Sequence, residues 1–274
     1  LNHDVKTSKD GFEISNQKIK VFAEKDPAKI PWGKVGADVV LECTGIFLDK
    51  SSAEKHIKSG AKKVIISAPG KEVDFTIVQG VNNKELKKEH NIISNASCTT
   101  NCAAPMIKVL DDFFTVESAY VTTVHSYTSD QNLHDGVHSD LRRARSAPTS
   151  IIPTSTGAAK ALSCIFPDIK ISGCGIRVPV SNCSLTDITC VVQNNTNIQE
   201  VNKLFEIASN TNLKDILHYN LDPIVSVDVK SSTYSCVFDS LLTYVSGNMI
   251  KIVGWYDNEY GYCSRLVDLL FKIS

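Results

Sequence analysis

Short apolar runs alternate with polar, helix-like segments through the first third of the chain. The apolar runs are rich in Val and Ile and predict five strands, over residues 18–23, 37–43, 63–67, 75–78 and 92–94. Between the second and third of these runs, residues 51–59 have the composition of a helix that ends at Gly60. Buried apolar strands separated by helical spacers are typical of a parallel α/β sheet.

The pattern changes near Cys98, where apolar residues begin to recur at helical spacing as far as Phe114. Pro105 lies early in this predicted helix and is able to bend it. Longer strands then predominate, at residues 118–123, 176–180, 185–192, 225–229 and 250–255, with helices at 158–164, 199–208 and 265–273. This mixture predicts an α+β second domain.

Composition excludes several classes of protein. The 274 residues carry 29 basic and 30 acidic side chains, a net charge of −1, so no strong field attracts nucleic acid or an anionic membrane. No apolar run approaches the roughly 18 residues that a membrane-spanning helix needs. Nine cysteines without a C-x-x-C pair do not form a disulfide framework, which favours the cytoplasm as the location.

Cys98 stands at the start of the predicted helix, after a strand that ends at Ser94. A thiol in this position meets unpaired N–H groups, which predicts a pKa below the free value of about 8.5 and a nucleophilic role. Ser97 and Thr99 add hydroxyl groups that suit an anion. Two alternatives stay open: Cys98 and Cys102 pack in a core, or they bind a metal, although two thiolates are too few ligands for structural zinc.

His125 follows the strand-like residues 120–124 and precedes a polar segment. A lone histidine is most often structural, but a strand end followed by polar residues is a common place for a functional group. Cysteine and histidine together form a pair that activates a thiol for attack on a carbonyl carbon. The sequence therefore predicts that Cys98 and His125 lie close together.

Five motifs in a fixed order carry a specific resemblance. They are S-N-A-S-C-T-T-N-C-A-A-P, T-T-V-H-S-Y-T, S-T-G-A-A-K-A, R-V-P and W-Y-D-N-E-Y-G-Y. In this order they resemble the phosphorylating glyceraldehyde-3-phosphate dehydrogenases, and the similarity runs from about Ile19 to the last residue. The resemblance implies a Rossmann-like dinucleotide-binding domain, residues 1–97 with the helix at 258–274, and an α+β catalytic domain with a mixed or antiparallel sheet, residues 98–257.

The same resemblance implies roles for individual residues. Cys98 would be the nucleophile and His125 the general base of NAD-dependent oxidation of glyceraldehyde 3-phosphate through a thioester. Thr128 and Arg177 match positions that hold the substrate phosphate. The positions that hold inorganic phosphate are matched by Ser97, Thr99, Thr156 and Gly157, with Arg143 assisting. The residues that face the dinucleotide would be Thr44, Gly45, Phe47, Ser67, Asn258 and Tyr262. A cytoplasmic homotetramer of the glycolytic pathway, with no metal, is the corresponding expectation.

The sequence departs from the family in lacking a G-x-G-x-x-G-like loop, so we expect the N-terminal part of the NAD-binding domain to be missing from this chain. Without that segment the choice between NAD and NADP, and the activity of the chain as given, stay open. Two further functions compete: erythrose-4-phosphate dehydrogenase, against which Thr156 and Gly157 argue, and a non-catalytic fragment. Taken alone, Ser155–Gly157 is also compatible with a simple helix cap, and Arg142–Arg145 with a solvated surface rather than a nucleic-acid patch.

Overall fold

The computed structural model describes residues 4–273, whose strands form three sheets. The first sheet is antiparallel and consists of β1 (Val5–Ser8), β2 (Gly11–Ile14) and β3 (Gln17–Lys20). Its outer strands are exposed throughout. The strand predicted at 18–23 is present only as far as Lys20, and β1 and β2 were not predicted because their short polar segments carry no clear apolar alternation.

The second sheet is four-stranded and entirely parallel, in the order β4-β5-β7-β6. Its strands are β4 (Val39–Glu42), β5 (Lys63–Ile66), β6 (Phe75–Thr76) and β7 (Ile92–Ser94). The helices that precede and follow β4 are α1 (Trp32–Val35) and α2 (Lys50–Lys58). After α2, Gly60 adopts a φ of +112°, and a Cβ there would lie 2.5 Å from the Gly33 backbone, so glycine is required. The predicted parallel sheet is confirmed.

The third sheet has eight strands of mixed direction. These are β8 (Val116–Ser126), β9 (Ile152–Thr154), β10 (Lys170–Val178), β11 (Ser184–Val192), β12 (Leu217–Asn220), β13 (Cys236–Asp239), β14 (Tyr244–Ser246) and β15 (Met249–Tyr256). They follow the order β12-β13-β15-β11-β8-β10-β9, with β14 paired to β15. Because β8 is parallel to β10 and antiparallel to β11, the expected mixed sheet is confirmed.

Four further helices cover the sheets: α3 (Cys98–Phe114), α4 (Ala158–Ile165), α5 (Ile198–Asn210) and α6 (Tyr260–Ile273). Of these, α3 is largely buried and contains Pro105 without a break, although proline cannot donate the usual bond to the carbonyl of Asn101. Within residues 4–273, no helix combines the length and apolar character needed to cross a membrane.

The parallel sheet is covered on both faces. Ala53 of α2 packs with Val64 and Ile66, whereas Leu266 and Leu269 of α6 pack with Ile65. Successive strand residues point to opposite faces, so neighbouring residues of β5 meet different helices. The last helix, α6, therefore packs against the parallel sheet.

One predicted strand is wrong. Residues 225–229 alternate apolar and polar residues, yet Ser226–Val229 form a short 3₁₀ helix. The Asp228 carboxylate accepts a hydrogen bond from the Val225 N–H at 2.7 Å, which closes a turn. Local capping by an aspartate thus prevails over the period-two pattern.

Candidate active site

The loop before α3 sets the position of Cys98. Ser97 caps the helix, because its Oγ accepts from the Thr100 N–H at 3.1 Å. The Asn101 side chain reaches back and donates to the carbonyl of Asn95 at 2.9 Å and to that of Ser97 at 3.0 Å. These bonds hold Cys98 as the first residue of the helix, where the residue is half-buried.

His125 lies near the end of β8, facing this helix start. Its Nε2 atom is 3.4 Å from Sγ of Cys98, within reach of a hydrogen bond that includes sulfur. His125 itself is buried, and its Nδ1 lies 2.7 Å from the carbonyl oxygen of Ser126. The structure thus brings together the two residues that the sequence predicts as nucleophile and base.

Arg177 stands beside His125 because β8 and β10 run parallel with these two residues in register. Its Nη1 atom lies 2.6 Å from His125 Nδ1 and donates to the Ser126 carbonyl at 2.9 Å. Asp187, an acidic residue of strand β11, forms its ion pair with Lys251 at 2.8 Å and not with Arg177.

Burial governs the protonation of both side chains. It raises the pKa of the Cys98 thiol to about 11, although hydrogen bonds from Thr99 act in the opposite direction. Burial and, to a smaller extent, the charge of Arg177 lower the pKa of His125 to about 4. The predicted lowering of the Cys98 pKa is therefore wrong: the helix start has the expected effect, but loss of solvation is larger. At neutral pH both groups are uncharged, and His125 is free to accept a proton.

Tyr256, at the end of β15, contacts three residues around the site: Thr99, Thr123 and His125. Its hydroxyl group is hydrogen-bonded to Oγ1 of Thr99 at 2.8 Å and of Thr123 at 2.9 Å. The ring meets that of His125 edge to face, with centroids 6.0 Å apart. Sequence reasoning missed this residue, although it lies within the W-Y-D-N-E-Y-G-Y motif and on the inward side of an alternating strand.

A cavity of about 210 Å³ lies over Cys98. Eight predicted site residues line it: Ser97, Cys98, Thr99, His125, Arg143, Thr156, Gly157 and Arg177. Two cationic guanidinium groups and several hydroxyl groups thus face the thiol. Thr128 is not among the lining residues; it lies beyond the end of β8, where its carbonyl accepts from the Gln131 N–H at 2.9 Å.

Arg143 enters the cavity from a long loop and is held there. Its guanidinium forms an ion pair with Asp130 and donates to Thr154 Oγ1 at 2.9 Å and to the Ser155 carbonyl at 3.2 Å. Arg145, by contrast, is exposed and pairs with Asp135 at 3.0 Å. The basic run is therefore divided between the cavity and the solvated surface.

Thr156 combines two of the possibilities that the sequence left open. Its Oγ1 accepts from the Ala158 N–H at 3.2 Å, as a residue at a helix start does, and it also lines the cavity. The Thr156 hydroxyl group therefore bonds to the first turn of α4 and also forms part of the polar lining of the cavity.

The loop after β4 contains Thr44, Gly45 and Phe47 and lies at the carboxyl edge of the parallel sheet, as does Ser67 after β5. A buried glutamate, Glu42, holds this loop by accepting from the backbone N–H of Thr44 at 2.7 Å and from its hydroxyl group. The carboxyl edge of a parallel α/β sheet is where nucleotides usually bind.

Glu42 is held in turn by His56 and Trp32. Trp32 Nε1 donates to His56 Nδ1 at 3.0 Å, which leaves His56 Nε2 to donate to Glu42 at 2.9 Å. We call these three residues the Trp32–His56–Glu42 relay. Phe47 packs edge-on against the His56 ring, with centroids 6.3 Å apart.

Asn258 and Tyr262 lie on the other side of Cys98, at the start of α6. The Tyr262 hydroxyl donates to the carbonyl of Ala96, two residues before Cys98, at 3.1 Å. The Asn258 Oδ1 atom accepts from two serine hydroxyl groups, those of Ser126 at 2.9 Å and Ser184 at 3.0 Å. Neither Asn258 nor Tyr262 lines the cavity over Cys98.

The metal interpretation of Cys98 and Cys102 has no support from the geometry. Cys102 is fully buried, and its Sγ lies 3.7 Å from the carbonyl of Gly254. Among residues 4–273, no three side chains of His, Cys, Asp or Glu are grouped so that they can hold a metal ion.

Known proteins resemble the chain along most of its length. The family described as "Glyceraldehyde 3-phosphate dehydrogenase, C-terminal domain" matches residues 97–258, and the corresponding "NAD binding domain" matches residues 1–50. The glyceraldehyde-3-phosphate dehydrogenase of Streptomyces coelicolor is 52% identical over 274 residues, which are 98% of this chain and 82% of that protein. The plasmid-encoded enzyme of that name from Cupriavidus necator is 49% identical over 268 residues, 97% of this chain and 80% of that protein.

Proposed function

The chain belongs to the glyceraldehyde-3-phosphate dehydrogenase family, and from this membership we propose that it oxidises and phosphorylates glyceraldehyde 3-phosphate. The family's members are NAD-dependent oxidoreductases. One observation carries the proposal: Cys98, His125 and Arg177, from three separate elements, meet around one polar cavity. That arrangement supplies a nucleophile, a proton acceptor and a cation for a phosphate group.

In the proposed reaction, Cys98 Sγ attacks the aldehyde carbon, and the thiol proton passes to His125 Nε2 at 3.4 Å. The neutral state of His125 suits this step, since a protonated ring could not accept. His125 gives this proton to the carbonyl oxygen as the hemithioacetal forms and, neutral again, accepts the hydroxyl proton as the hydride leaves. A bound NAD would supply the acceptor for the hydride that leaves the substrate carbon. The product on Cys98 is a thioester, which phosphate cleaves to an acyl phosphate.

Two sets of side chains would hold the two phosphates. Arg177, helped by Thr128, would bind the phosphate of the substrate, and a guanidinium group suits this task because it donates several charged hydrogen bonds. Inorganic phosphate would lie against the hydroxyl groups of Ser97, Thr99 and Thr156, the Gly157 backbone and Arg143. A dianion bound by Arg177 would also offset the charge that lowers the pKa of His125, so that base strength would rise with substrate in place.

The chain's own residues fit a dinucleotide. Thr44, Gly45, Phe47 and Ser67 lie at the carboxyl edge of the parallel sheet, and Tyr262 lies beside the Cys98 loop. The Nδ2 group of Asn258 makes no hydrogen bond within residues 4–273, so a donor is left for a carboxamide oxygen. We assign these six residues to cofactor binding.

The larger organisation follows the same proposal. Residues 1–97 with 258–274 would form the dinucleotide-binding domain, of which residues 1–3 and 274 lie outside the described part, and residues 98–257 the catalytic domain. The packing of α6 on the parallel sheet supports this division. A cytoplasmic homotetramer acting in glycolysis completes the proposal.

The test is stoichiometric. With glyceraldehyde 3-phosphate and NAD but no phosphate, the protein should produce one NADH per Cys98 and then stop, because the thioester persists. Phosphate should restore continuous turnover, and Cys98→Ser should abolish both phases while Cys43→Ser, at an exposed position, retains them. Continuous phosphate-independent turnover, or activity that survives Cys98→Ser, would refute the proposal.

A further inference from the structure

Ser126 connects the candidate base to the candidate nicotinamide residue. It is fully buried next to His125, and its carbonyl group accepts from Arg177. Its hydroxyl group points elsewhere and donates to Asn258 Oδ1 at 2.9 Å. Its backbone N–H donates a hydrogen bond to Oγ of Ser184 at 3.2 Å. The Ser184 hydroxyl group donates in turn to the same Asn258 oxygen at 3.0 Å.

These bonds determine which way the Asn258 amide faces. A carbonyl oxygen has two lone pairs, and the two serine hydroxyl groups use both. The opposite orientation would place an NH₂ group against Ser126 and Ser184, and both hydrogen bonds that the hydroxyl groups donate to Oδ1 would be lost. The amide group is therefore fixed with Oδ1 toward the serines and Nδ2 away from them.

We propose that Ser126 and Ser184 are positioning residues that hold Asn258 with its NH₂ group turned toward the carboxamide of the nicotinamide ring. This inference rests on the proposed role of Asn258 in cofactor binding. An amide that rotated freely would present its oxygen to the carboxamide oxygen half of the time, and two acceptors repel. The serine pair removes that state and so favours one orientation of the nicotinamide ring.

A purely structural role for the serines is less consistent with the contacts. The turn that contains Asn258 is already held by its neighbour Asp257, whose Oδ1 accepts from the backbone N–H groups of Glu259 and Tyr260, each at 2.9 Å. Asp257 Oδ2 accepts from the Ser231 N–H at 2.7 Å. The serine hydroxyl groups donate only to the Asn258 side chain, and Ser184 Oγ also accepts from the Ser126 N–H. Neither hydroxyl group bonds to the backbone of the turn, so their removal leaves the bonds of the turn backbone in place.

The experiment compares two ligands that differ only by the nicotinamide ring. Calorimetry gives the Kd of NAD and of ADP-ribose for the wild type, Ser126→Ala, Ser184→Ala and the double variant. Each substitution should weaken NAD by about 2- to 10-fold, the usual effect of one hydrogen bond, and leave ADP-ribose unchanged. Ser118→Ala, at the other end of the same strand, is the matched control and should change neither Kd.

Asn258→Ala distinguishes the proposed role of Asn258 in cofactor binding from the proposed role of the two serines in positioning it. It should weaken NAD selectively, and the serine substitutions should have no further effect in its background, since they act through Asn258. If Asn258→Ala leaves the ratio of the two Kd values unchanged, the proposed role of Asn258 fails. If Asn258→Ala changes the ratio but the serine variants do not, or if they weaken both ligands equally, the positioning inference alone is overturned.

Discussion

Cys98 Sγ and His125 Nε2 lie 3.4 Å apart, although 27 positions separate the two residues and each comes from a different element. The distance is short enough for direct proton transfer, and burial leaves both groups uncharged at neutral pH. His125 Nε2 therefore lies within reach as an acceptor for the thiol proton as Cys98 attacks.

Cys98→Ser should lower turnover by roughly 10³-fold or more. The serine hydroxyl group is a poorer nucleophile than the cysteine thiol, and the ester that it would form is less reactive toward phosphate than a thioester. Cys43→Ser and Cys164→Ser, at exposed positions, should retain activity. Steady-state assays of NADH formation with each variant make the comparison. Comparable losses in the Cys43 variant would contradict the assignment.

His125 should make the protein less stable in acid. In the unfolded chain it takes up a proton near pH 6.5, whereas in the folded chain it does so only near pH 4. Between these values the unfolded state binds more protons, so the free energy of unfolding falls as pH decreases, by about 2 kcal/mol from pH 7 to pH 5.

Urea unfolding at the two pH values measures this effect, and His125→Asn serves as the control. The asparagine variant should lose less stability than the wild type over the same interval. Equal slopes for both proteins would mean that His125 is not held neutral in the folded state.

Arg177→Ala should reduce kcat/KM for glyceraldehyde 3-phosphate far more than for unphosphorylated glyceraldehyde. A charged hydrogen bond contributes about 1.5–3 kcal/mol, which corresponds to about 10- to 150-fold in the ratio of the two specificity constants. Arg145→Ala, whose side chain is exposed, is the matched control. Equal losses for both aldehydes, with a lower melting temperature, would assign Arg177 a structural role.

Tyr256→Phe should slow the phosphate-dependent step, because the missing hydroxyl group leaves Thr99 and Thr123 without their shared partner. A buried hydroxyl left unpaired costs about 1–3 kcal/mol, so the melting temperature should fall as well. The KM for inorganic phosphate and a melting curve test this. Tyr244→Phe, on an exposed edge strand, should affect neither.

Trp32→Phe should loosen the loop after β4, since phenylalanine keeps the ring but cannot donate to His56. The Trp32–His56–Glu42 relay would lose its first hydrogen bond, at a cost of about 1 kcal/mol in the free energy of unfolding. Hydrogen exchange of the Thr44 amide, which bonds to Glu42, should become faster. Unchanged exchange at Thr44 would show that the relay does not support the loop.

Sequence patterns predicted the elements whose cause is periodicity. The runs at β5 and β7 are continuous because helices cover both faces, and the alternation of β11 reflects one buried face. The 3₁₀ turn at Ser226–Val229 was not predictable in this way, because it depends on one side chain, that of Asp228, closing on a backbone N–H.

The site shows the same division. Residues next to one another in motifs, such as Ser97 to Thr99, were predictable from the helix start. The raised pKa of Cys98 was not, because it reflects how much solvent the surrounding chain removes. The contacts of Tyr256 and the serine pair join residues far apart in sequence, so only the assembled sheet reveals them.

The register that places Arg177 opposite His125 also makes activity a late event in folding. The two residues lie 52 positions apart on parallel strands, and α4 lies in the chain between them. Parallel pairing across such a loop requires a large loss of chain entropy before any contact compensates for it. During refolding, helix content should therefore recover before enzymatic activity, and regained activity would report the moment at which β8 and β10 join.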